Sequence, residues 1–413
     1  MCIVVLSETV GTGGAETFVL RLATALMERG EQVYIFVLRH DLIDSALTAT
    51  LPKEVRVKSA KILGLKLLLK LDGMLFDLRT RLSLVRTLQT WLLQNFLKRV
   101  GADVIHSNLI TSDIVAVRAA RRVGVPVVTT MHGDYSALEH LGFSRSARVQ
   151  HFREVLTELD RSLYAVVCIT EPQRISCASY FPRLSSRRRI RKIYNGYDKP
   201  DDLPDAREIM HRIPPGAFVV GMVSRGIREK GWEILIAAFQ SLDIPNSCLV
   251  LVGDGDYIRY AQTVVRDERI LFAGNVSNPL SYIAQFDVAC LPSQFPAESL
   301  PTVIIEYMCM GKPVIASDIG EISAMMDANG FMPAGLLIQL GSTDRMVEEM
   351  KAALLRMYDE KAQRRTWASN ARHAALKFNM DDCTAAYLSL FELARCDRDN
   401  VAQDRGLDAR RGI

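Results

Sequence analysis

Residues 3–38 read IVVLSETVGTGGAETFVLRLATALMERGEQVYIFVL. Two β-branched runs, 3–6 and 33–38, flank a segment in which Phe18, Leu22 and Leu26 recur every four residues, the spacing of one helix face. Gly30 follows the last of them, where a glycine in the left-handed conformation ends a helix. Gly11, Gly13 and Gly14 stand between the first run and the helix, and without side chains they let backbone amides approach an anion at a helix amino terminus. The whole reads as one βαβ unit, the element from which a parallel sheet wrapped by helices is built.

The same alternation continues outward. Runs at 104–106, 125–130 and 165–169 extend the first set, and runs at 218–223, 248–252, 270–272, 288–291 and 314–316 begin a second. Between them, residues 195–216 hold Pro200, Pro204, Pro214 and Pro215 with several aspartates, which is linker composition. A chain of 413 residues is longer than one hydrophobic core usually supports, so two α/β domains are expected. The predicted layout is a Rossmann-like domain over 1–198, a linker over 199–216, a second Rossmann-like domain over 217–378, a helix over 379–395, and a charged tail over 396–413 expected to be disordered.

Composition narrows the function. A net charge of +4, with no basic tract interleaved with aromatics, argues against a nucleic-acid partner. The eight cysteines form no C-x-x-C pair and read as reduced thiols, so neither a disulfide framework nor a zinc site is expected. The start of the chain lacks a basic region followed by an apolar stretch, which predicts a cytoplasmic protein. Lys66, Lys70 and Asp72 interrupt the apolar segment 62–76, which excludes a spanning helix there and allows one lying flat on a membrane. The cluster Arg187, Arg188, Arg189, Arg191 and Lys192 reads as a solvated loop, as a contact for anionic lipid headgroups or as a contact for a phosphorylated acceptor.

Several chemistries lack their signatures. No G-x-x-x-x-G-K-[ST] loop, G-x-S-x-G elbow or H-E-x-x-H pair occurs. The first glycine turn has Glu16 where a dinucleotide fingerprint wants glycine or alanine, although Asp41 loosely mimics the acidic partner of that fingerprint. In the second half, VSRGIREKG at 223–231 follows a strand and opens a helix. Arg225 could grip a diphosphate as a fork and Lys230 as a point charge. Downstream, Glu298-Ser299-Leu300-Pro301-Thr302 leads into a helix containing Glu306, with Ser299 or Thr302 as its cap and Pro301 in its first turn. If the whole segment were helical, the two carboxylates would stand about 12 Å apart along the axis.

Taken in order, Gly13-Gly14-Ala15-Glu16, His132-Gly133, Asn195-Gly196-Tyr197-Asp198, the 225–230 segment, Leu251-Val252-Gly253-Asp254-Gly255, the glutamate pair and Gly311-Lys312-Pro313-Val314-Ile315-Ala316-Ser317 resemble the motifs of retaining glycosyltransferases of family 4, over residues 1–395. That resemblance implies a GT-B fold, two Rossmann-like parallel-sheet domains facing a central cleft, with the C-terminal helix crossing back to the first domain. It implies that Glu298 contacts the donor sugar, that Glu306 holds the ribose, and that Arg225 and Lys230 bind the diphosphate. Backbone around Ser299, Leu300, Pro301 and Thr302, with Gly13 and Gly14, would complete the clamp, and His132 would face the reacting sugar. His132, Glu298, Arg225 and Lys230 then form the catalytic set. Glu16 would either meet the acceptor or serve as a first-turn acid favoured by the helix dipole.

The resemblance further implies a UDP-sugar or GDP-sugar donor, a lipid-linked or polysaccharide acceptor of cell-surface glycan synthesis (O-antigen, capsule or exopolysaccharide), no cofactor and no bound metal. Asp254-Gly255-Asp256 accordingly reads as a tight turn. Three departures stand out. Ser299-Leu300-Pro301 replaces a common glycine and phenylalanine after the first glutamate, Asp318-Ile319-Gly320-Glu321 replaces a double glycine, and His106-Ser107-Asn108 matches half of an H-x-H pattern. A sugar-nucleotide epimerase of the same fold and a non-catalytic nucleotide-sugar-binding protein are the alternative readings.

Overall fold

A computed structural model describes residues 1–11, 13–77, 83–133, 147–200, 211–328, 330 and 332–411. The chain forms two compact units, Met1–Gly196 joined by Met380–Ile413, and Tyr197–Asn379. The expected linker therefore falls with the second unit, and its residues 201–210, Pro204 among them, lie outside the described residues.

The first unit holds strands β1 (Cys2–Ser7), β2 (Gln32–Val37), β3 (Arg56–Ser59), β4 (Val104–Asn108), β5 (Val127–Met131), β6 (Ala165–Cys168) and β7 (Ile190–Lys192). They lie in the order β3-β2-β1-β4-β5-β6-β7, all parallel. Every residue of β1 is buried, as an unbroken apolar run requires when both sheet faces are covered. Val4 and Leu6 point into a core with Leu93, Phe96, Val115 and Leu159, from the helices Leu84–Val100, Ile110–Arg121 and Ala147–Ser162. Ile3 and Val5 point the other way, toward Phe18 and Leu22 of the helix Gly14–Glu28 and toward Tyr387 and Phe391 of the helix Met380–Arg411.

The C-terminal helix is thus part of the first core. Gly196 lies so close to it that a Cβ there would sit 2.8 Å from Met380 Cα, and Tyr387 OH lies 2.7 Å from Thr130 Oγ1. The tail from 396, expected to be disordered, instead prolongs this helix to Arg411. Charges at 397 and 398 tie the start of this stretch to the first unit. Asp397 accepts from Tyr164 OH (2.9 Å) and Arg189 (2.8 Å), and Arg398 pairs with Asp103. Arg189, read from the sequence as part of a loop or headgroup contact, is committed to Asp397 and stacks 3.8 Å above the Tyr164 ring. The adjoining Ile190–Lys192 is an edge strand.

The second unit holds β8 (Phe218–Val223), β9 (Ser247–Val252), β10 (Ile270–Gly274), β11 (Val288–Leu291), β12 (Val314–Ser317) and β13 (Gly335–Ile338), in the parallel order β10-β9-β8-β11-β12-β13. In each sheet the first strand lies between neighbours reached by connections running in opposite directions. This creates a crevice at the carboxyl ends of β1 and β4, and another at those of β8 and β11, the places where open α/β sheets bind ligands.

Candidate functional site

In the second unit, three loops converge at the carboxyl ends of β8, β11 and β12. After Val223 the chain makes a 3-10 turn, Arg228–Lys230, and Gly231 then enters the helix Trp232–Gln240 in the left-handed conformation, φ 81°. Trp232 is wholly buried and its indole N–H donates to the Arg225 carbonyl at 2.9 Å, which pins the loop. A Cβ on Gly231 would lie 1.9 Å from Pro292 O, and Gln294 N donates to Glu229 O at 2.7 Å. The loops after β8 and β11 are therefore in backbone contact. From below, Glu321 N donates to Ser299 O, and Gly320 at φ 62° lies where a Cβ would come within 2.3 Å of Glu298 O.

This contact brings together residues 68 positions apart. Lys230 Nζ donates to Glu298 Oε2 at 2.6 Å, and both side chains are nearly enclosed, with 8% and 7% of their area exposed. Ser293 Oγ donates to the same oxygen at 2.6 Å. The Lys230 ammonium and the Arg225 guanidinium lie 5.0 and 5.6 Å from the centre of the Phe295 ring, within cation–π range. Arg225 is exposed and has no carboxylate partner among the described residues. Arg225, Lys230 and Glu298, singled out from the sequence, thus lie in one cluster. The sequence reading overlooked Ser293 and Phe295, whose only signal was their position between β11 and Glu298.

The helix after them is shorter than expected. It spans Thr302–Cys309 with Pro301 as its N-cap, so neither Ser299 nor Thr302 occupies the cap position. Glu298 lies before the helix, so the expected axial separation of the two carboxylates does not apply. The reason is local: Glu298 N bonds back to Phe295 O, a turn that Pro301 then closes off from the helix. Glu306 is half-buried on the helix, whose position is set by the wholly buried Tyr307 next to it, the hydroxyl of which accepts from Val223 N at 2.7 Å. Leu300 is buried. Asp254 is held by Arg259 in a two-point salt bridge, at 2.8 and 2.5 Å, in the turn between Gly253 and Gly255. Among the described residues no group of His, Cys, Asp and Glu side chains is arranged to hold a metal.

In the first unit, Gly13 is the N-cap of the helix Gly14–Glu28 and no side chain caps its first turn. Glu16 folds back over Gly13, so that a Cβ there would meet its Oε2 at 2.2 Å, and Thr9 Oγ1 donates to Glu16 Oε1 at 3.0 Å. Gly13 and Gly14 are exposed. His132 follows β5, its Nε2 lies 2.9 Å from Asn108 Oδ1, and its ring packs edge-on to Phe18 at 5.7 Å. Its Nδ1 is buried without a partner among the described residues, and burial pushes its pKa down to about 4. Asn108, at the end of β4, was visible only as a departure from the H-x-H pattern.

The family model described as Glycosyltransferase Family 4 matches residues 12–199, and that described as Glycosyl transferases group 1 matches residues 217–358. The chain is 25% identical over 390 residues to the lipopolysaccharide core biosynthesis glycosyltransferase LpsD of Rhizobium meliloti, covering 92% of this chain and 95% of LpsD. It is 25% identical over 354 residues to 2-deoxystreptamine N-acetyl-D-glucosaminyltransferase of Streptomyces fradiae, covering 81% of each. Among solved structures it resembles Anabaena HepE in complex with UDP-glucose, with a TM-score of 0.69 at 21% identity over 94% of this chain and 99% of HepE.

Proposed function

The chain belongs to glycosyltransferase family 4, with the GT-B fold, and from that membership we propose that it transfers a sugar, with retention at the anomeric carbon, from a UDP-sugar or GDP-sugar to a lipid-linked or polysaccharide acceptor of cell-surface glycan synthesis. LpsD, named for lipopolysaccharide core synthesis, supports the acceptor class, and HepE, crystallised with UDP-glucose, supports the donor class. Such acceptors are made at the cytoplasmic face of a membrane, and this chain would work there. Among the described residues no helix is long and apolar enough to cross one.

The observation that carries this reading is the cluster of Arg225, Lys230 and Glu298 over Phe295 at the switch point of the second sheet. In the transfer, the bond between the anomeric carbon and the diphosphate oxygen breaks. Positive charge grows on the ring and negative charge on the leaving oxygen. Arg225 and Lys230 meet that negative charge as a fork and a point charge. Uncapped amides at the start of the helix Thr302–Cys309 add fixed dipoles of the same sense. Because these groups are held before the bond breaks, their stabilisation is greatest in the transition state. Glu298 accepts from sugar hydroxyls and Glu306 accepts from the ribose.

Transfer of labelled sugar from a panel of UDP- and GDP-sugars into a lipid extract tests this proposal. Lys230→Ala and Glu306→Ala should each lower kcat/KM by about a hundredfold or more. Removing Lys230 alone strands the Glu298 carboxylate in a buried site, so Lys230→Met combined with Glu298→Gln serves as the folded control. Undiminished transfer by both single variants would overturn the assignment. Product released from donor alone as a new nucleotide sugar would replace it with an epimerase.

A further inference from the structure

The helices Leu65–Asp77 and Leu84–Val100 of the first unit form a hairpin that is apolar on two sides. One side is accounted for. Ile62, Leu65 and Val85 are buried together with Leu68, Leu69 and Leu92 against them, and Leu93, Phe96 and Leu97 join the main core. The other side faces outward. Leu67, Leu71 and Met74 recur at helical spacing, preceded by Leu63, and Leu63 is 99% exposed while Leu67 and Met74 are each 63% exposed. On the second helix Leu84, Leu88 and Trp91 repeat the spacing, with Trp91 56% exposed. Single exposed leucines are ordinary, but a stripe on each of two packed helices marks an interaction surface.

The charges beside the stripes select the occupant. Lys61, Lys66 and Lys70 are exposed, and Lys66 and Lys70 sit one residue ahead of Leu67 and Leu71 along the same helix. The helix Leu84–Val100 carries no acid at all. Asp72 on the facing helix is consumed in the hairpin, accepting from Ser83 Oγ, Leu84 N and Val85 N at 2.7 to 3.1 Å. Lysines with long apolar stems flank an apolar face, a tryptophan sits among the exposed leucines, and Asn95 and Gln94 end the second stripe. A second protein surface would have to match the basic edge with acids. A bilayer of anionic lipid offers both an apolar layer and a negative surface in the required order.

We propose that this hairpin lies in the interfacial layer of an anionic membrane, with Leu63, Leu67, Leu71, Met74, Leu88 and Trp91 among the acyl chains and Lys66 and Lys70 at the headgroups. The proposal rests on the reading of a bilayer-held acceptor, and it moves the membrane contact away from the Arg187–Arg189 cluster, where Arg189 is already paired.

The test uses the full chain with vesicles of phosphatidylglycerol and phosphatidylethanolamine, and phosphatidylcholine vesicles for comparison. Trp232 and Trp367 are buried, so quenching of fluorescence by brominated acyl chains reports on Trp91. The expected results are cosedimentation with the anionic vesicles, quenching that disappears in Trp91→Phe, and a fall in partitioning of about tenfold or more in Leu67→Asp/Leu71→Asp. Lys66→Gln/Lys70→Gln should remove the preference for anionic over phosphatidylcholine vesicles. No cosedimentation and no quenching overturns the proposal. So does a dimer in solution that Leu67→Asp/Leu71→Asp dissociates, since the occupant would then be a second copy. Thermal stabilisation by the nucleotide is measured on the same variants. If it persists while vesicle binding is absent, the transferase reading survives without this surface; if it is absent while vesicle binding persists, the reverse holds.

Discussion

Asn108 sets which nitrogen of His132 bears the proton. The Asn108 amide donates through Nδ2 to the Leu6 carbonyl at 3.3 Å, so the atom it presents to His132 Nε2 is the acceptor Oδ1, and the imidazole must donate there. His132 Nδ1 is then a shielded lone pair. Asn108→Leu removes the acceptor and frees the tautomer; kcat should fall by about tenfold while the KM for donor changes little. Asn108→Asp keeps an acceptor but places a negative charge beside the ring, which raises its pKa from about 4 and moves the acid limb of the pH–rate profile upward. Nitrogen NMR of the ring and the two profiles measure this, and identical limbs in wild type and Asn108→Asp would refute a positioning role. At this scale the sequence pointed to His132, Arg225, Lys230 and Glu298 by type and order. Asn108, Ser293 and Phe295 carry only a faint signal of place or pattern, because each acts through a neighbour that only folding supplies.

The connections after β8 and β11 can touch only where a side chain is missing. Gly231 combines φ 81° with the Pro292 carbonyl 1.9 Å from its would-be Cβ, so Gly231→Ala incurs both backbone strain and a clash with rigid backbone. Urea unfolding should show a loss on the order of 2 kcal/mol or more. Activity should fall with it, because separating the loops pulls Lys230 from Glu298. Gly73→Ala is the contrasting case: it lies inside the helix Leu65–Asp77 with nothing within 4 Å of the added methyl, and should stabilise by up to about 1 kcal/mol. Strands buried on both faces were legible as β-branched runs. The edge strands β3 and β7 were not, since Arg56, Lys58 and Arg191 are exposed and short edges look like loop sequence. The helix after Glu298 takes Pro301 as its N-cap instead of Ser299 or Thr302, because proline fits a first turn and an N-cap almost equally well.

Three buried groups of the first unit couple its stability to pH. His106 and His132 are pushed by burial to about 3 and about 4, below their ordinary 6.5, so the unfolded chain takes up protons first as pH falls from 6.5 and stability declines toward acid. Asp113 has the opposite sign. Burial raises it from 3.8 to about 7, although Ser107 and Thr129 donate to its Oδ1 at 2.5 and 2.6 Å, and its Oδ2 has no partner among the described residues. Here the unfolded chain loses its proton first as pH rises from 3.8, and stability declines toward pH 7. Asp113→Asn removes only this second contribution. Relative to wild type it should gain roughly 2 kcal/mol more at pH 8 than at pH 5, read from urea midpoints at the two pH values. An equal difference at both would show that Asp113 does not titrate in this range.

Periodicity and glycine placement by themselves determined two parallel α/β units and their helices, because apolar spacing and positive φ are imposed locally on the chain. The tertiary structure alone decided that Lys230 and Ser293 share one oxygen of Glu298, that Asn108 orients His132 and that Tyr387 and Phe391 are the residues by which the C-terminal helix enters the first core. Those facts depend on which strand ends become neighbours, and that is set by sheet order rather than by any spacing along the chain.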